Sequence, residues 1–269
     1  MRRLYRETRT VAGNYMDVDI FPVFKNPKKR GVKAKPTCEA QAMLNQRRSE
    51  DLLTQLVNEN FTNRDIWITL TYTEDTVPAE PKDVLRDAQN YVRRLKRLYR
   101  RLGIKDVKYI IVPEETSRFH VHIFVTGCEN RDDIEALWKY GYANARRIRF
   151  NEHGATALAH YSTKERKNGK SAFSRRWYAS RNIVRPVPIP RDARISAKKA
   201  EELATVSAED KREWRKLYPD YVLVESESIF NELNGGWYVR AKFYKKGTVF
   251  DFEPRKEYKR KEHNDVEKA

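Results

Sequence analysis

The sequence predicts an α+β fold in which helices cover an antiparallel sheet. Segments 107–114 and 119–127 are rich in β-branched and aromatic residues and are joined by a short turn, which is typical of a β-hairpin. Segment 81–103 instead repeats its apolar residues at helical spacing. The predicted order β-α-β-β-α-β-α favours an antiparallel sheet with helices packed on it.

The elements before the hairpin are predicted as follows. Residues 1–37 are basic and mixed in pattern, and a helix runs from about Glu39 to Asn58. "DIWITLTYT" (65–73) is a strand, and the helix 81–103 ends at Gly103. The polar face of that helix carries Arg86, Arg93, Arg94, Lys96, Arg97, Arg100 and Arg101. Such a face is either an ordinary solvated surface or a contact surface for DNA.

After the hairpin we predict a short helix (131–141), a strand (142–150) and a helix (153–170). "RPVPIPRDARIS" (185–196) marks a boundary, because three prolines in five residues cannot continue a helix or a central strand. A helical stretch (about 195–217) and a small β unit follow it. The predicted parts are a basic N-terminal extension with a helix (1–60), a core domain (61–188), a small α/β C-terminal module (189–253) and a charged, disordered tail (254–269).

Composition narrows the class of protein. The 55 Lys and Arg against 38 Asp and Glu give a net charge of +17, which favours a polyanionic partner such as nucleic acid. Ribosomal and membrane-surface proteins share this sign of charge. Cys38 and Cys128 are too few for a zinc finger or a disulfide framework. Without a signal peptide or an apolar stretch of about 18 residues, we expect a soluble cytoplasmic protein with no membrane partner.

The stretch "FHVHIF" (119–124) contains the first candidate site. His120 and His122 alternate in a strand and therefore share a face. Alone, such a pair is either structural or part of a metal site, and a divalent cation needs a third ligand. Glu114 or Glu115, at the end of the partner strand, could supply it, and the hairpin register decides between them. We favour Glu114. Two His and one carboxylate leave open coordination positions, typical of a catalytic metal.

The stretch "AHYSTKE" (159–165) contains the candidate nucleophile. Tyr161 and Lys164 are three residues apart on a predicted helix and share a face. A phenol can form a covalent intermediate when a cation such as Lys164 stabilises the developing charge. The alternative for Tyr161 is an ordinary half-buried aromatic. His153 and His160 are expected to be structural or exposed.

These signals occur in one order, and in that order the sequence resembles the HUH superfamily of rolling-circle replication initiators, the Rep proteins of plasmids and single-stranded DNA phages. The matching stretches are "WITLTY" (67–72), "FHVHIF" (119–124) and "YSTK" (161–164). The stretches 45–72 and "SRNIVRP" (180–186) also resemble Rep-like proteins of Gram-positive phages and mobile elements. The resemblance covers about residues 40–188.

The resemblance implies an RRM-like (ferredoxin-like) core and a metal-dependent single-strand DNA nickase. His120, His122 and the nearby glutamate would hold one Mn²⁺ or Mg²⁺ ion. Tyr161 would attack the scissile phosphate and leave a 5′-phosphotyrosine and a free 3′-OH. Position 165 is Glu rather than a second Tyr, which indicates the single-tyrosine type. DNA contacts are expected at Arg93, Arg97, Arg100 and Lys167.

The implied partners are single-stranded DNA at a replication origin, a host helicase and a host DNA polymerase, since the chain lacks the helicase domain of many viral Rep proteins. Three rival functions stay open. They are a non-catalytic basic nucleic-acid-binding module, a phosphoesterase that uses water as its nucleophile, and a transposase or relaxase of the same superfamily.

Overall fold

The computed structural model describes residues 4–23, 39–115, 118–156, 173, 175–205, 211–232 and 235–250, with the side chains of the first helix described from residue 46 onward. These residues form ten strands and five helices. The strands make two antiparallel five-stranded sheets. The predicted α+β class is therefore confirmed.

The histidine sheet, which carries His120 and His122, has the strand order β6-β3-β5-β4-β7. Its strands are β3 (Ile66–Tyr72), β4 (Tyr109–Glu115), β5 (Phe119–Val125), β6 (Gly141–Arg147) and β7 (Tyr178–Ala179). The flanking sheet has the order β8-β1-β2-β10-β9. Its strands are β1 (Leu4–Ala12), β2 (Tyr15–Val23), β8 (Ile189–Asp192), β9 (Tyr221–Asn231) and β10 (Gly236–Lys245). The helices are α1 (Glu39–Asn60), α2 (Pro81–Arg101), α3 (Asp132–Glu135), α4 (Ala197–Thr205) and α5 (Arg212–Leu217).

Helix α2 covers one face of the histidine sheet. Pro81 stands in its first turn, where the fixed φ of proline suits a helix, and Gly103 takes a φ of +72° just beyond its end. Its apolar stripe is buried against alternate residues of the strands, among them Ile68 of β3 and Ile123 of β5. The buried residues of the stripe are Val84, Ala88, Tyr91, Val92, Leu95, Leu98 and Tyr99.

Helix α1 covers part of the opposite face, which is the face of His120 and His122. Leu53, Leu56 and Val57 of α1 are buried in one apolar cluster with Val112 of β4 and Phe124 of β5. The other side of α1 is polar and meets the flanking sheet. Helix α1 therefore lies between the two sheets.

The flanking sheet has its own apolar core on the side away from α1. Met16 and Val18 of β2 and Ala241 of β10 pack there with Leu203 of α4 and Trp214 of α5. Strands from residues 4–23, 189–192 and 221–245 thus complete one sheet, which the sequence patterns did not predict. The predicted division at residues 60 and 188 stays a prediction.

Three helices differ in extent from the prediction. The segment expected as one helix over 195–217 contains two helices, α4 and α5, on either side of residues that lie outside the described ranges. The helix predicted over 131–141 is the four-residue α3. The predicted helix 153–170 lies largely outside the described residues. Within the described ranges, no helix is both long and apolar enough to cross a bilayer.

Candidate functional site

The register of the β4–β5 hairpin determines which glutamate shares a face with the histidines. Glu114 pairs directly with His120, and Val112 pairs with His122. Directly paired residues of antiparallel strands point to the same face. Glu115 pairs with Phe119, which packs against the core under α2. Glu114, rather than Glu115, therefore lies on the histidine face.

Neighbouring strands hold the His122 imidazole through both of its nitrogens. Nε2 is 3.0 Å from Oε2 of Glu114, and Nδ1 is 3.2 Å from Oγ1 of Thr69 on β3. The ring of Trp67 stacks on it with the centroids 5.4 Å apart. His122 is 1% exposed and Glu114 is 7% exposed. Because a carboxylate only accepts, Nε2–H donates to Glu114, and the Thr69 hydroxyl can then donate to Nδ1.

His120 lies at the more open end of the same face and is half-buried. Its Nδ1 is 3.1 Å from the carbonyl oxygen of Arg118, and a carbonyl only accepts, so Nδ1–H is the donor. In the neutral ring this leaves the lone pair on Nε2. Histidines that ligate metals have this arrangement, with the other ring nitrogen donating to a carbonyl or carboxylate.

A divalent cation would find suitable donor atoms here, but not a preformed cluster. In the part of the chain that the structure describes, no three His, Cys, Asp or Glu side chains are grouped so that they could hold a metal ion. The hydrogen bond between His122 and Glu114 occupies one nitrogen and one oxygen that a cation would use. The chemistry of the donor set, two imidazoles and one carboxylate, fits a catalytic site for such an ion.

The predicted nucleophile and its neighbours cannot be related to this geometry. Tyr161, Lys164 and Lys167 lie outside the described residues, as does His160. His153 is described, and its ring nitrogens are 3.9 Å from a carboxylate oxygen of Glu152 and 3.7 Å from one of Glu225. Glu225 belongs to β9 of the flanking sheet, so His153 faces that sheet and not the histidine site.

The arginines of α2 lie on the other side of the histidine sheet from the candidate site. Helix α2 packs on the face opposite His120 and His122 and turns its cationic side outward. Arg93, Arg97 and Arg100 are exposed and form no ion pair within the described part of the chain. A helix with its side chains is about 10 Å across, so these guanidinium groups and the histidines face separate surfaces.

Two neighbours of His122 escaped the sequence analysis. Thr69 and Trp67 lie on β3, at alternate positions of "WITLTY", and therefore face the histidines rather than α2. The alternation was visible in the sequence, since Ile68 and Leu70 are the apolar positions between them. What the sequence lacked was the pairing of β3 with β5, which sets Thr69 opposite His122.

Comparison with known proteins gives one match. Residues 65–166 match the model of a family described as replication-associated protein ORF2. The match covers less than half of the chain, and it includes β3, α2, the β4–β5 hairpin and Tyr161. No curated protein and no solved structure matches the chain. The match supports a Rep-like protein with a role in the initiation of DNA replication.

Proposed function

We propose that the chain is a metal-dependent endonuclease that nicks and rejoins single-stranded DNA to initiate rolling-circle replication. The observation that carries the proposal is the shared face of His120, His122 and Glu114, within a segment that matches the replication-associated family model. Two imidazoles and a carboxylate on one face are a donor set that Mn²⁺ or Mg²⁺ could use.

In this proposal His120, His122 and Glu114 hold one cation, which polarises a phosphoryl oxygen of the scissile bond. His120 contributes Nε2, because the carbonyl of Arg118 holds the proton on Nδ1. Thr69 and Trp67 fix the plane of the His122 ring. Glu114 would exchange its hydrogen bond with His122 for a bond to the ion.

Tyr161 is the proposed nucleophile. Its phenol oxygen forms a bond to phosphorus and loses its proton, while the bond from phosphorus to the 3′ oxygen breaks and that oxygen takes up a proton. The products are a 5′-phosphotyrosine and a free 3′-OH from which a polymerase can extend. Lys164 would stabilise the charge on the phosphoryl group. With Glu at position 165, the enzyme would be of the single-tyrosine HUH type.

We also propose that β3–β6 with α2 and α3 form an RRM-like core of the HUH kind. The connection β3-α2-β4 is a split β-α-β unit, since β5 lies between the two strands that it joins. The whole segment runs β-α-β-β-α-β. This topology leaves one face of the sheet for α2 and the other for a substrate and α1.

The DNA contacts of the proposal fall on two surfaces. Lys167 follows Tyr161 closely in the sequence and is assigned to the strand that is cut. Arg93, Arg97 and Arg100 are assigned to the DNA that flanks the nick, because their surface faces away from the histidines. The remaining partners are a host helicase and a host DNA polymerase, met in the cytoplasm on phage or plasmid DNA.

The proposal is tested by incubating the protein with single-stranded origin DNA and Mn²⁺, followed by a denaturing gel. We expect a covalent DNA–protein adduct that disappears in Tyr161→Phe and in His120→Ala. The matched controls are Tyr244→Phe and His153→Ala, which change the same residue types on the flanking-sheet side and should keep the adduct.

Other outcomes identify the rival functions. Cleavage without an adduct would indicate a phosphoesterase that uses water. Binding without cleavage, with or without Mn²⁺, would indicate a non-catalytic nucleic-acid-binding module. Adduct formation on transposon ends or conjugative origins, in place of a replication origin, would indicate a transposase or relaxase.

A further inference from the structure

The edge strand β6 presents three polar or aromatic side chains on the histidine face. Thr71 of β3 pairs with both Tyr142 and His120, and Thr69 pairs with both Asn144 and His122. Paired residues share a face, so Tyr142 and Asn144 point to the same side as the histidines. Arg146 follows two residues later and does the same.

These three side chains lie open to solvent. Tyr142 is 74% exposed, and its ring contacts no other aromatic ring of the described residues. Asn144 and Arg146 are also exposed, and Nε of Arg146 donates to Oδ1 of Asn144 over 2.7 Å. An open aromatic ring beside an amide and a guanidinium suits a ligand that both stacks and carries negative charge.

We propose that Tyr142, Asn144 and Arg146 bind the single strand of DNA next to the nicking site, with Tyr142 stacking on a base and Arg146 contacting a phosphate. The inference rests on the proposed function and adds the surface on which the substrate strand lies. Aromatic platforms beside cations are the common means of holding single strands without a fixed sequence.

The spacing suits a strand of nucleotides. Alternate residues of an antiparallel strand are about 6.8 Å apart, so Tyr142 and Arg146 are separated by about 14 Å along β6. A stacked single strand rises about 3.4 Å per nucleotide, so this length corresponds to roughly four nucleotides. Tyr142 lies two strands from His120 in the same row, which is about 10 Å. A base on Tyr142 would therefore lie within a few nucleotides of a phosphate at His120.

A protein partner fits this edge less well than a nucleic acid does. An added β-strand would need the outward N–H and C=O groups of β6. At Ala145 both are already engaged, since its N–H donates to Glu135 over 2.6 Å and its carbonyl accepts from Arg131 over 3.3 Å. An apolar docking surface is also absent from the outward positions of β6 on this face, where Asn144 and Arg146 flank a single aromatic ring.

The test is fluorescence anisotropy with the full chain and a labelled single-stranded oligonucleotide of mixed sequence, in EDTA so that no cleavage occurs. We expect Tyr142→Ala to weaken binding about tenfold and Tyr142→Phe to restore it to within about twofold, because a phenyl ring still stacks. Arg146→Ala should lower the salt dependence of binding by about 0.7 in logarithmic slope, the value of one phosphate contact on a single strand. Phe230→Ala, which removes a 46% exposed aromatic from the flanking sheet, is the matched control and should leave binding unchanged.

Several results would overturn the inference. They are wild-type affinity in Tyr142→Ala, equal weakening in Tyr142→Phe and Tyr142→Ala, equal weakening for a duplex, or preference for RNA over DNA of the same sequence. Because the assay contains no divalent cation, it is independent of nicking. A protein that forms no adduct with Mn²⁺ but loses single-strand affinity in Tyr142→Ala would contradict the proposed nuclease and support this surface.

Discussion

His122 is held more firmly than His120, and the difference follows from its partners. The ring of His122 is buried and is contacted at both nitrogens, by Glu114 of β4 and Thr69 of β3. His120 is half-buried, and its contact is to the carbonyl of Arg118. A buried imidazole that loses one hydrogen-bond partner keeps the cost of its desolvation. At this scale, Thr69 therefore positions the site although it is not a candidate ligand.

Thr69→Val tests that role, because valine keeps the shape of threonine and removes the hydroxyl. We expect a loss of about 1–2 kcal/mol in the free energy of unfolding, since Nδ1 of His122 loses its partner. We also expect Mn²⁺ affinity to fall about 10- to 100-fold, as for other groups that orient a ligating histidine. Urea denaturation and titration calorimetry measure the two effects.

Thr71→Val is the matched control, since Thr71 lies on the same strand and face and makes no side-chain hydrogen bond to a histidine in the described part of the chain. An unchanged Mn²⁺ affinity in Thr69→Val, or an equal loss in Thr71→Val, would contradict the role of Thr69.

Helix α1 is the element that joins the two sheets, and its two sides do so by different means. Toward the histidine sheet it buries Leu53, Leu56 and Val57. Toward the flanking sheet it uses hydrogen bonds and ion pairs, such as Gln55 to Asp17 over 2.7 Å and Asp51 to Arg240. The apolar contact is insensitive to pH, whereas the polar contact contains carboxylates that titrate.

The polar contact predicts a pH dependence of stability. Burial, together with the like charges of Asp51 and Asp19, raises the pKa of Asp17 to about 6 from its ordinary 3.8, against the opposing effects of Gln55 and Lys242. The folded state thus binds a proton more tightly than the unfolded state between these two pKa values. Stability therefore falls as the pH rises from about 4 to about 6, and the loss persists above pH 6.

Asp17→Asn should remove this fall and be more stable than the wild type at pH 8 by about 1–2 kcal/mol, because the amide carries no charge and its oxygen still accepts from Gln55. Urea denaturation at several pH values measures the difference. The exposed Asp75→Asn is the control and should follow the wild-type curve. A parallel pH profile for Asp17→Asn would show that Asp17 is not the group responsible.

Amphipathic elements were predictable from the sequence, and elements with mixed charge were not. Helix α2 was predicted over 81–103 and spans Pro81–Arg101, because its apolar residues repeat at helical spacing. The hairpin of β1 and β2 was missed, although Met16, Val18 and Ile20 alternate and Gly13 stands in the turn. Asp17 and Asp19 obscured the pattern, since they face the polar side of α1 rather than solvent.

In the whole molecule, neither face of the histidine sheet is completed by the core segment alone. Helix α1 precedes the predicted core domain (61–188), yet it covers Ile110, Val112 and Phe124 of the sheet. A boundary drawn from composition at residue 60 therefore separates a helix from the apolar surface that it buries.

A fragment of residues 61–188 should consequently be less stable than the full chain. Loss of α1 exposes three fully buried apolar side chains, at a cost of about 1.5–3 kcal/mol each. We expect the fragment to unfold at a lower temperature by circular dichroism, whereas a fragment that starts at Glu39 recovers much of the difference. Equal melting temperatures for the two fragments would show that α1 is dispensable for the histidine sheet.

The candidate site was predictable in its residue types and not in its register. Alternation alone sets His120 and His122 on one face. The choice between Glu114 and Glu115 depends on the turn that joins β4 and β5, and one residue of shift exchanges the faces. The cross-strand row from Tyr142 through Thr71 to His120 required two pairings, of β3 with β5 and of β3 with β6, between segments far apart in the sequence.

The central claim, that Tyr161 becomes covalently attached to DNA, is tested most directly by mass spectrometry of the adduct. Digestion with nuclease and trypsin should leave a nucleotide on the peptide of residues 150–164, "FNEHGATALAHYSTK", whose one tyrosine is Tyr161. The account predicts this modified peptide in wild-type protein treated with Mn²⁺ and origin DNA, and its absence in His120→Ala. A nucleotide on any other tyrosine-containing peptide, or an adduct on this peptide in His120→Ala, would contradict the account.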